Sequence, residues 1–274
     1  MKLSFTTLGC PKWELETIVS RAAEYGFDGI DFRGLLGHMN VYELEPFATS
    51  YAQTRDRIAD AGLEVTCFSS SITLVSKERE EQNLEELKRY AELCERFGTR
   101  YIRAFGGKLG GKERAEGIAV AASLLSRADA VLRGTGVKLI IETHDDWTRC
   151  EDTLLLLEGT SPETVGVLWD VHHPYRMFGE RPERTWDVLG PRIEYTHWKD
   201  SLPNDGAQGT FTYRFMGEGD VPLRDMYAVL QANRYDGWYT FEWEKHWHPA
   251  IEEPEEAFPR FVRYMRELGA TSAR

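Results

Sequence analysis

Residues 138–170 read KLIIETHDDWTRCEDTLLLLEGTSPETVGVLWD, and this stretch decides the fold. It holds two apolar runs rich in β-branched residues, each closed by a carboxylate: Glu142 after the first and Asp170 after the second. The carboxylates are separated by about one strand-plus-helix unit, which is typical of parallel strands joined by a helix. The stretch therefore predicts two neighbouring parallel strands with both carboxylates at the same edge of the sheet.

Two strand-like runs further along the chain end in the same way. His197 closes the run 193–196, and Glu242 closes the run 237–241. One polar group at the same end of each of four neighbouring strands converges on one point. Three carboxylates and one imidazole form a hard, oxygen-rich donor set. Such a set is typical of Mn²⁺ or Mg²⁺ sites rather than of thiolate zinc sites. The pattern predicts a divalent metal site.

Strand and helix patterns alternate from one end of the chain to the other. Glycines stand where helix C-terminal caps are expected, among them Gly26 and Gly98, and the acidic run 252–256 indicates a helix start. The length of 274 residues is close to the about 250 residues of a typical (β/α)8 barrel. We expect one α/β domain over residues 1–274, a (β/α)8 TIM barrel, with an open doubly wound sheet as the alternative. The predicted strands are 2–6, 28–33, 64–68, 100–104, 138–142, 165–170, 192–197 and 237–242.

Composition restricts the partners. The formal net charge of −12 would repel phosphate backbones, so we expect no nucleic-acid partner and a small-molecule ligand or metal instead. We identify neither a signal peptide nor an apolar run of about 18 residues, so we expect no membrane association and a cytoplasmic location. The four cysteines are scattered without a CxxC pair, which favours reduced thiols. Homo-oligomerisation is left open.

Several motifs of the C-terminal half carry a family resemblance. They resemble the xylose-isomerase-like superfamily of sugar isomerases and epimerases, which also contains ketose 3-epimerases, inosose dehydratases and apurinic-site endonucleases. The strand and helix rhythm extends the resemblance to essentially the whole chain. The motifs are ETH at 142–144, WDVHHP at 169–174, HWKD at 197–200, GEG at 217–219 and WYTFE at 238–242.

The resemblance implies a metal-dependent sugar or cyclitol isomerase or epimerase. Residues of the superfamily that match Glu142, Asp170, His197 and Glu242 bind one divalent ion, for which we place Mn²⁺ first and keep Mg²⁺, Co²⁺ and Zn²⁺ as alternatives. Such an ion would polarise a substrate carbonyl and stabilise the enediolate left after proton abstraction. Likeness to the ketose epimerases further implies that Glu142 and Glu242 act as acid and base on opposite faces of the substrate.

Five more residues are candidates for substrate binding. His173 matches the superfamily's Asp-x-x-His pattern, which places such a histidine beside a substrate oxygen. Lys199 and Arg103 would either bind an anionic or hydroxyl group of the substrate or pair with a carboxylate of the mouth. Trp147 and His38 lie on expected loops, and a tryptophan face binds sugar C–H surfaces well.

Three other functions remain open. A lyase or dehydratase, similar to inosose dehydratase or cleaving 3-oxo-glycosides, is the nearest, because the same enediolate can expel a β-substituent. An apurinic-site endonuclease is remote, since such enzymes carry histidines at the ends of the second and third strands, whereas the third strand here continues into 67–71, Cys-Phe-Ser-Ser-Ser. The last is a metal-binding barrel without turnover, against which the retention of Glu142 and Glu242 argues.

Overall fold

Eight parallel strands close into a ring in chain order, with the first strand paired to the last. A computed structural model describes residues 1–205 and 209–272. All eight predicted strands are present there, so the predicted TIM barrel is confirmed. The ring is formed by β1 (Lys2–Thr6), β2 (Gly29–Phe32), β3 (Glu64–Thr73), β4 (Tyr101–Phe105), β5 (Lys138–Glu142), β6 (Val165–Asp170), β7 (Ile193–Trp198) and β10 (Trp238–Phe241), while β8 (Asp200–Pro203) and β9 (Phe211–Arg214) pair outside it.

Helices follow the barrel strands and cover their outer faces. Gly26 and Gly98 end α1 and α4 in the left-handed conformation, with φ of 84° and 68°, which a residue without Cβ adopts at little cost. Among the described residues no helix is both long and apolar enough to cross a bilayer. The helices are α1 (Leu15–Tyr25), α2 (Glu45–Ala48), α3 (Tyr51–Asp60), α4 (Glu80–Phe97), α5 (Arg114–Leu132), α6 (Cys150–Leu157), α7 (His173–Phe178), α8 (Pro182–Leu189), α9 (Leu223–Ala232) and α10 (Pro254–Ser272).

A buried polar layer fills the barrel beneath the predicted site. The Tyr195 hydroxyl lies 3.2 Å from Ser4 Oγ and 2.7 Å from Thr66 Oγ1, and Ser4 Oγ lies 2.5 Å from Thr240 Oγ1. Alternate residues of a strand face the same side. Tyr195 in the barrel interior therefore aims His197, two residues later, into the mouth.

Between β7 and α9, where the sequence analysis predicts no strand, the chain forms the antiparallel hairpin of β8 and β9. Its strands were missed because Asp200–Pro203 lacks β-branched residues. Strand β3 also runs to Thr73, five residues beyond the predicted end at 68, and Thr73 pairs with Phe105 across a register shift. Residues 206–208, between β8 and β9 in the chain, lie outside the described residues.

Candidate metal centre and active site

Glu142, Asp170, His197 and Glu242 converge as the sequence predicts. Each offers one donor atom, and the four donor atoms lie within 4.8 Å of one another. All four residues are buried, with at most 4% of their surface exposed. The strand register brings them together, because Asp170 pairs with His197 between β6 and β7, and β5 and β10 flank these strands.

The two nitrogens of His197 have different surroundings. Nε2 lies 3.2 Å from Oδ2 of the fully buried Asp31 on β2. Nδ1 faces Oε1 of Glu142 at 3.5 Å and Oε1 of Glu242 at 3.2 Å. Although burial lowers the pKa of His197, the carboxylates of Glu242, Asp31 and Glu142 raise it well above its usual range, so Nδ1 carries a proton that a bound metal ion would replace. A cation, either a proton or a metal ion, has to lie between these three groups.

Backbone groups hold Asp170 in place. Its Oδ1 accepts hydrogen bonds from the amides of His172 and His173, at 2.8 and 3.0 Å. Its Oδ2 remains directed at the mouth. His173 is the first residue of α7, so the backbone at the start of this helix holds the carboxylate.

Two buried cations contact the second oxygens of the glutamates. Arg103 Nε lies 3.3 Å from Glu142 Oε2, and Lys199 Nζ donates to Glu242 Oε2 and lies 2.7 Å from Asp170 Oδ2. Burial raises the pKa of Glu242, but Lys199 and His197 outweigh it, so the net pKa is well below its usual range. Burial and Glu242 raise the pKa of Glu142, yet Arg103 and His197 lower it further. Both glutamates are thus held ionised.

The residues present fit a divalent ion. Oε2 of Glu142, Oδ2 of Asp170 and Nδ1 of His197 are buried atoms that have a charged neighbour but form no hydrogen bond of good geometry among the described residues. Among the described residues, the four buried carboxylates of Asp31 and the three acidic donors form ion pairs with Arg103, Lys199 and His197, which leaves more negative than positive charge. A divalent ion would balance that excess of negative charge, which is costly to leave buried.

Two imidazoles lie side by side next to the donors. The rings of His144 and His173 are 4.8 Å apart, centroid to centroid. His144 Nδ1 lies 3.3 Å from Asp145 Oδ2, and His173 Nδ1 lies 3.5 Å from Asp170 Oδ2. Burial and Lys199 lower the pKa of His173 well below its usual range, whereas Asp145 and Glu142 outweigh burial and raise the pKa of His144. His172 Nε2 lies 2.8 Å from Ser201 Oγ, and His172 also offers a ring nitrogen within 4.8 Å of donor atoms of Asp170 and His173.

The predicted substrate residues divide into two groups. His173, Arg103 and Lys199 lie in the cluster, where Lys199 forms ion pairs with carboxylates, including Glu244 Oε1 at 3.2 Å. The structure does not bring the other two there. Trp147 is fully buried in a 3-10 turn, packed so tightly on Gly106 that a Cβ at that glycine would lie 2.3 Å from the indole. His38 lies exposed in the turn after β2.

Sequence reasoning missed Asp31, His144 and Glu244 as parts of the site. Asp31 lies one residue before the end of β2, at the same end of the barrel as the predicted donors. His144 and Glu244 each follow a predicted donor by two residues, and the alternation of strand side chains places such positions on the same side. The same reasoning, applied to every strand end, would have found all three.

The closed parallel barrel with its donors at the strand ends places the protein in the class of (β/α)8 barrels that collect functional groups at one mouth. A family model described as the xylose isomerase-like TIM barrel matches residues 19–268. The chain therefore belongs to the xylose isomerase-like TIM barrel family.

Relatives within this family carry different activities. An inosose dehydratase of Yersinia enterocolitica is 30% identical over 122 residues, which make up 38% of this chain and 39% of that protein. The chain matches about two fifths of the length of such curated relatives. The structure of the IolI protein with a bound zinc atom is 17% identical, with a TM-score of 0.82 and 98% coverage of both chains. That of 3-keto-D-glucoside 4-epimerase from E. coli is 15% identical, with a TM-score of 0.76 and coverage of 97% and 99%. Both structures show likeness of fold alone.

Proposed function

We propose that this chain is a divalent-metal-dependent lyase of the dehydratase type. It removes a proton next to a carbonyl of a small keto-sugar or keto-cyclitol and expels a hydroxyl group as water. The observation that carries the proposal is the pair of imidazoles, His144 and His173, on one wall of the mouth beside the four donors. The names of the sequence relatives, which are inosose dehydratases, support it.

Glu142, Asp170, His197 and Glu242 would hold the ion. Once bound, the ion polarises the substrate carbonyl and acidifies the adjacent C–H group. The donor set suits Mn²⁺ or Mg²⁺, and Co²⁺ or Zn²⁺ are alternatives. Arg103 and Lys199 keep the two glutamates ionised in the buried mouth and hold them in place.

His144 and His173 divide the proton transfers of an elimination between them. His173 lies beside the Lys199 ammonium, which favours a neutral imidazole able to accept the carbon-bound proton. His144 lies beside the carboxylates of Asp145 and Glu142, which favour an imidazolium able to protonate the departing hydroxyl. The electron pair of the broken C–H bond forms the C=C bond. The C–O bond breaks at the same time, and the protonated hydroxyl leaves as water.

Isomerisation or epimerisation is the second candidate. It rests on Glu142 and Glu242, whose Oε1 atoms reach His197 Nδ1 from different strands. Epimerisation requires acid and base on opposite faces of the substrate, a role that the family resemblance gives to these glutamates. Their contacts with Arg103 and Lys199 weaken both as bases, and we therefore place elimination first.

The two reactions are distinguished by mass spectrometry in heavy water. Metal-loaded protein is incubated with an inosose and a panel of keto-sugars. Elimination gives a product that is lighter than the substrate by one water. Epimerisation or isomerisation instead adds deuterium next to the carbonyl and leaves the carbon and oxygen skeleton unchanged. Product formation should be lost in His173→Gln and kept in His38→Gln, the matched control from the exposed turn. Deuterium incorporation without loss of water would replace the first candidate by the second.

A further inference from the structure

Arg33 is a buried cation without a hydrogen-bond or ion-pair partner among the described residues. It follows the last residue of β2 and is 7% exposed. Its guanidinium forms no hydrogen bond and no ion pair with any described residue, and its Nη1 is completely shielded from solvent. Burying an unpaired charge is costly, so such groups are normally matched by an opposite charge. Every other buried cation of the mouth has such a match, as Arg103 and Lys199 show.

The guanidinium of Arg33 belongs to the mouth. Arg33 stands just beyond the end of β2, two positions after Asp31, whose carboxylate contacts His197. It lines a crevice together with Thr7, Met39 and His246, which lie after β1, β2 and β10. Burial and the repulsion of Arg103 lower its pKa to about 10, so the group is still charged at neutral pH.

Nearby acidic groups do not neutralise Arg33. Glu86 is the carboxylate of α4 that faces it, but Glu86 Oε1 accepts the Ser71 amide at 2.6 Å and makes no ion pair with Arg33. Glu142 also interacts electrostatically with Arg33, but its ion-pair partner is Arg103. No carboxylate of the described residues therefore forms an ion pair with Arg33, and an anionic ligand would supply the opposite charge.

We propose that Arg33 binds a carboxylate group carried by the substrate, so that the substrate class is an anionic keto-polyol rather than a neutral one. This inference rests on the proposed function for the identity of the reacting part of the molecule. One free guanidinium matches one negative charge and binds a carboxylate through two N–H groups. A phosphate dianion would be repelled by Glu86 and Glu142 in the same wall.

Binding is tested apart from turnover. Metal-loaded protein is titrated calorimetrically with cyclohexanecarboxylate, with its uncharged partner cyclohexanemethanol and with inorganic phosphate. The proposal expects the carboxylate to bind better than the alcohol and Arg33→Met to weaken carboxylate binding roughly 10-fold or more, as for a charged hydrogen bond. The matched control Arg55→Met removes an exposed guanidinium paired with Asp56 and should leave binding unchanged.

A stability measurement separates this role from a structural one. Without ligand, Arg33→Met removes an unpaired buried charge and should leave the melting temperature unchanged or raise it. A large drop in melting temperature would show that Arg33 holds the fold together, and it would overturn the proposal. Phosphate binding without carboxylate binding, or carboxylate binding that survives in Arg33→Met, would overturn it too. Because no turnover is scored, these outcomes are independent of whether the chain proves to be a dehydratase.

Discussion

Replacing Asp31 by Asn tests how the metal centre is held. Asp31 Oδ2 lies 3.2 Å from His197 Nε2, and both side chains are completely buried. In a metal-bound state the carboxylate would hold the Nε2 proton of His197 and so leave the Nδ1 lone pair to bind the ion. Partners of metal-binding histidines typically contribute 10–100-fold in metal affinity, so the dissociation constant for Mn²⁺ or Zn²⁺ should rise by about that factor. This change corresponds to about 1.4–2.8 kcal/mol of binding free energy.

The assay is a competition titration against a fluorescent chelator. Asp56→Asn is the matched control, because Asp56 is an exposed carboxylate paired with Arg55 and lies on α3, outside the cluster. Circular dichroism of the purified variants establishes that both are folded. If folded Asp31→Asn binds the ion within twofold of the unchanged chain, the contact between Asp31 and His197 does not hold the metal centre and the reasoning is wrong.

Three further predictions concern the mouth and its packing. His173→Gln should lower turnover by about 10²–10⁴-fold, the usual contribution of an acid–base group, while metal titration gives an unchanged affinity; normal turnover would remove His173 from the chemistry. Lys199→Met leaves Asp170 and Glu242 without their buried cation and should lower the unfolding free energy of the metal-free chain by about 3–5 kcal/mol in urea titrations, and equal stability would contradict the ion-pair argument. Gly106→Ala places a Cβ 2.3 Å from the indole of Trp147 and should cost about 1–3 kcal/mol of stability with kcat unchanged; an unchanged melting temperature would show that the indole can move.

The fold and the four donors could be predicted because both depend on short-range patterns. Runs of β-branched residues mark most strands, and the carboxyl ends of the parallel strands of a barrel lie at the same mouth. The positions of Glu142 and Asp170 in the chain therefore fixed their positions in space. The predicted start of the last helix held for the same reason, since Glu255 and Glu256 form the first turn of α10.

What the sequence left out depends on contacts between distant segments. Trp147 was expected to face a ligand because it stands on a connection between elements, but its ring fills space above Gly106, a contact that the local sequence does not contain. The sequence left open whether Lys199 binds substrate or pairs with a carboxylate. Its ion pairs depend on where Asp170 and Glu242 lie on other strands, which the local sequence does not contain. Arg33 belongs to no recognised motif. That its guanidinium has no hydrogen-bond partner among the described residues depends on how distant segments pack around it.

The metal content of the purified chain tests the central claim most directly. Four buried donors around one point should retain about one divalent ion per chain after dialysis, measured by elemental analysis, and His197→Ala should retain far less. Removing the ion with a chelator should lower the melting temperature, and adding Mn²⁺, Mg²⁺, Co²⁺ or Zn²⁺ should restore it. A chain that carries no ion and whose melting temperature none of these metals raises would contradict the account.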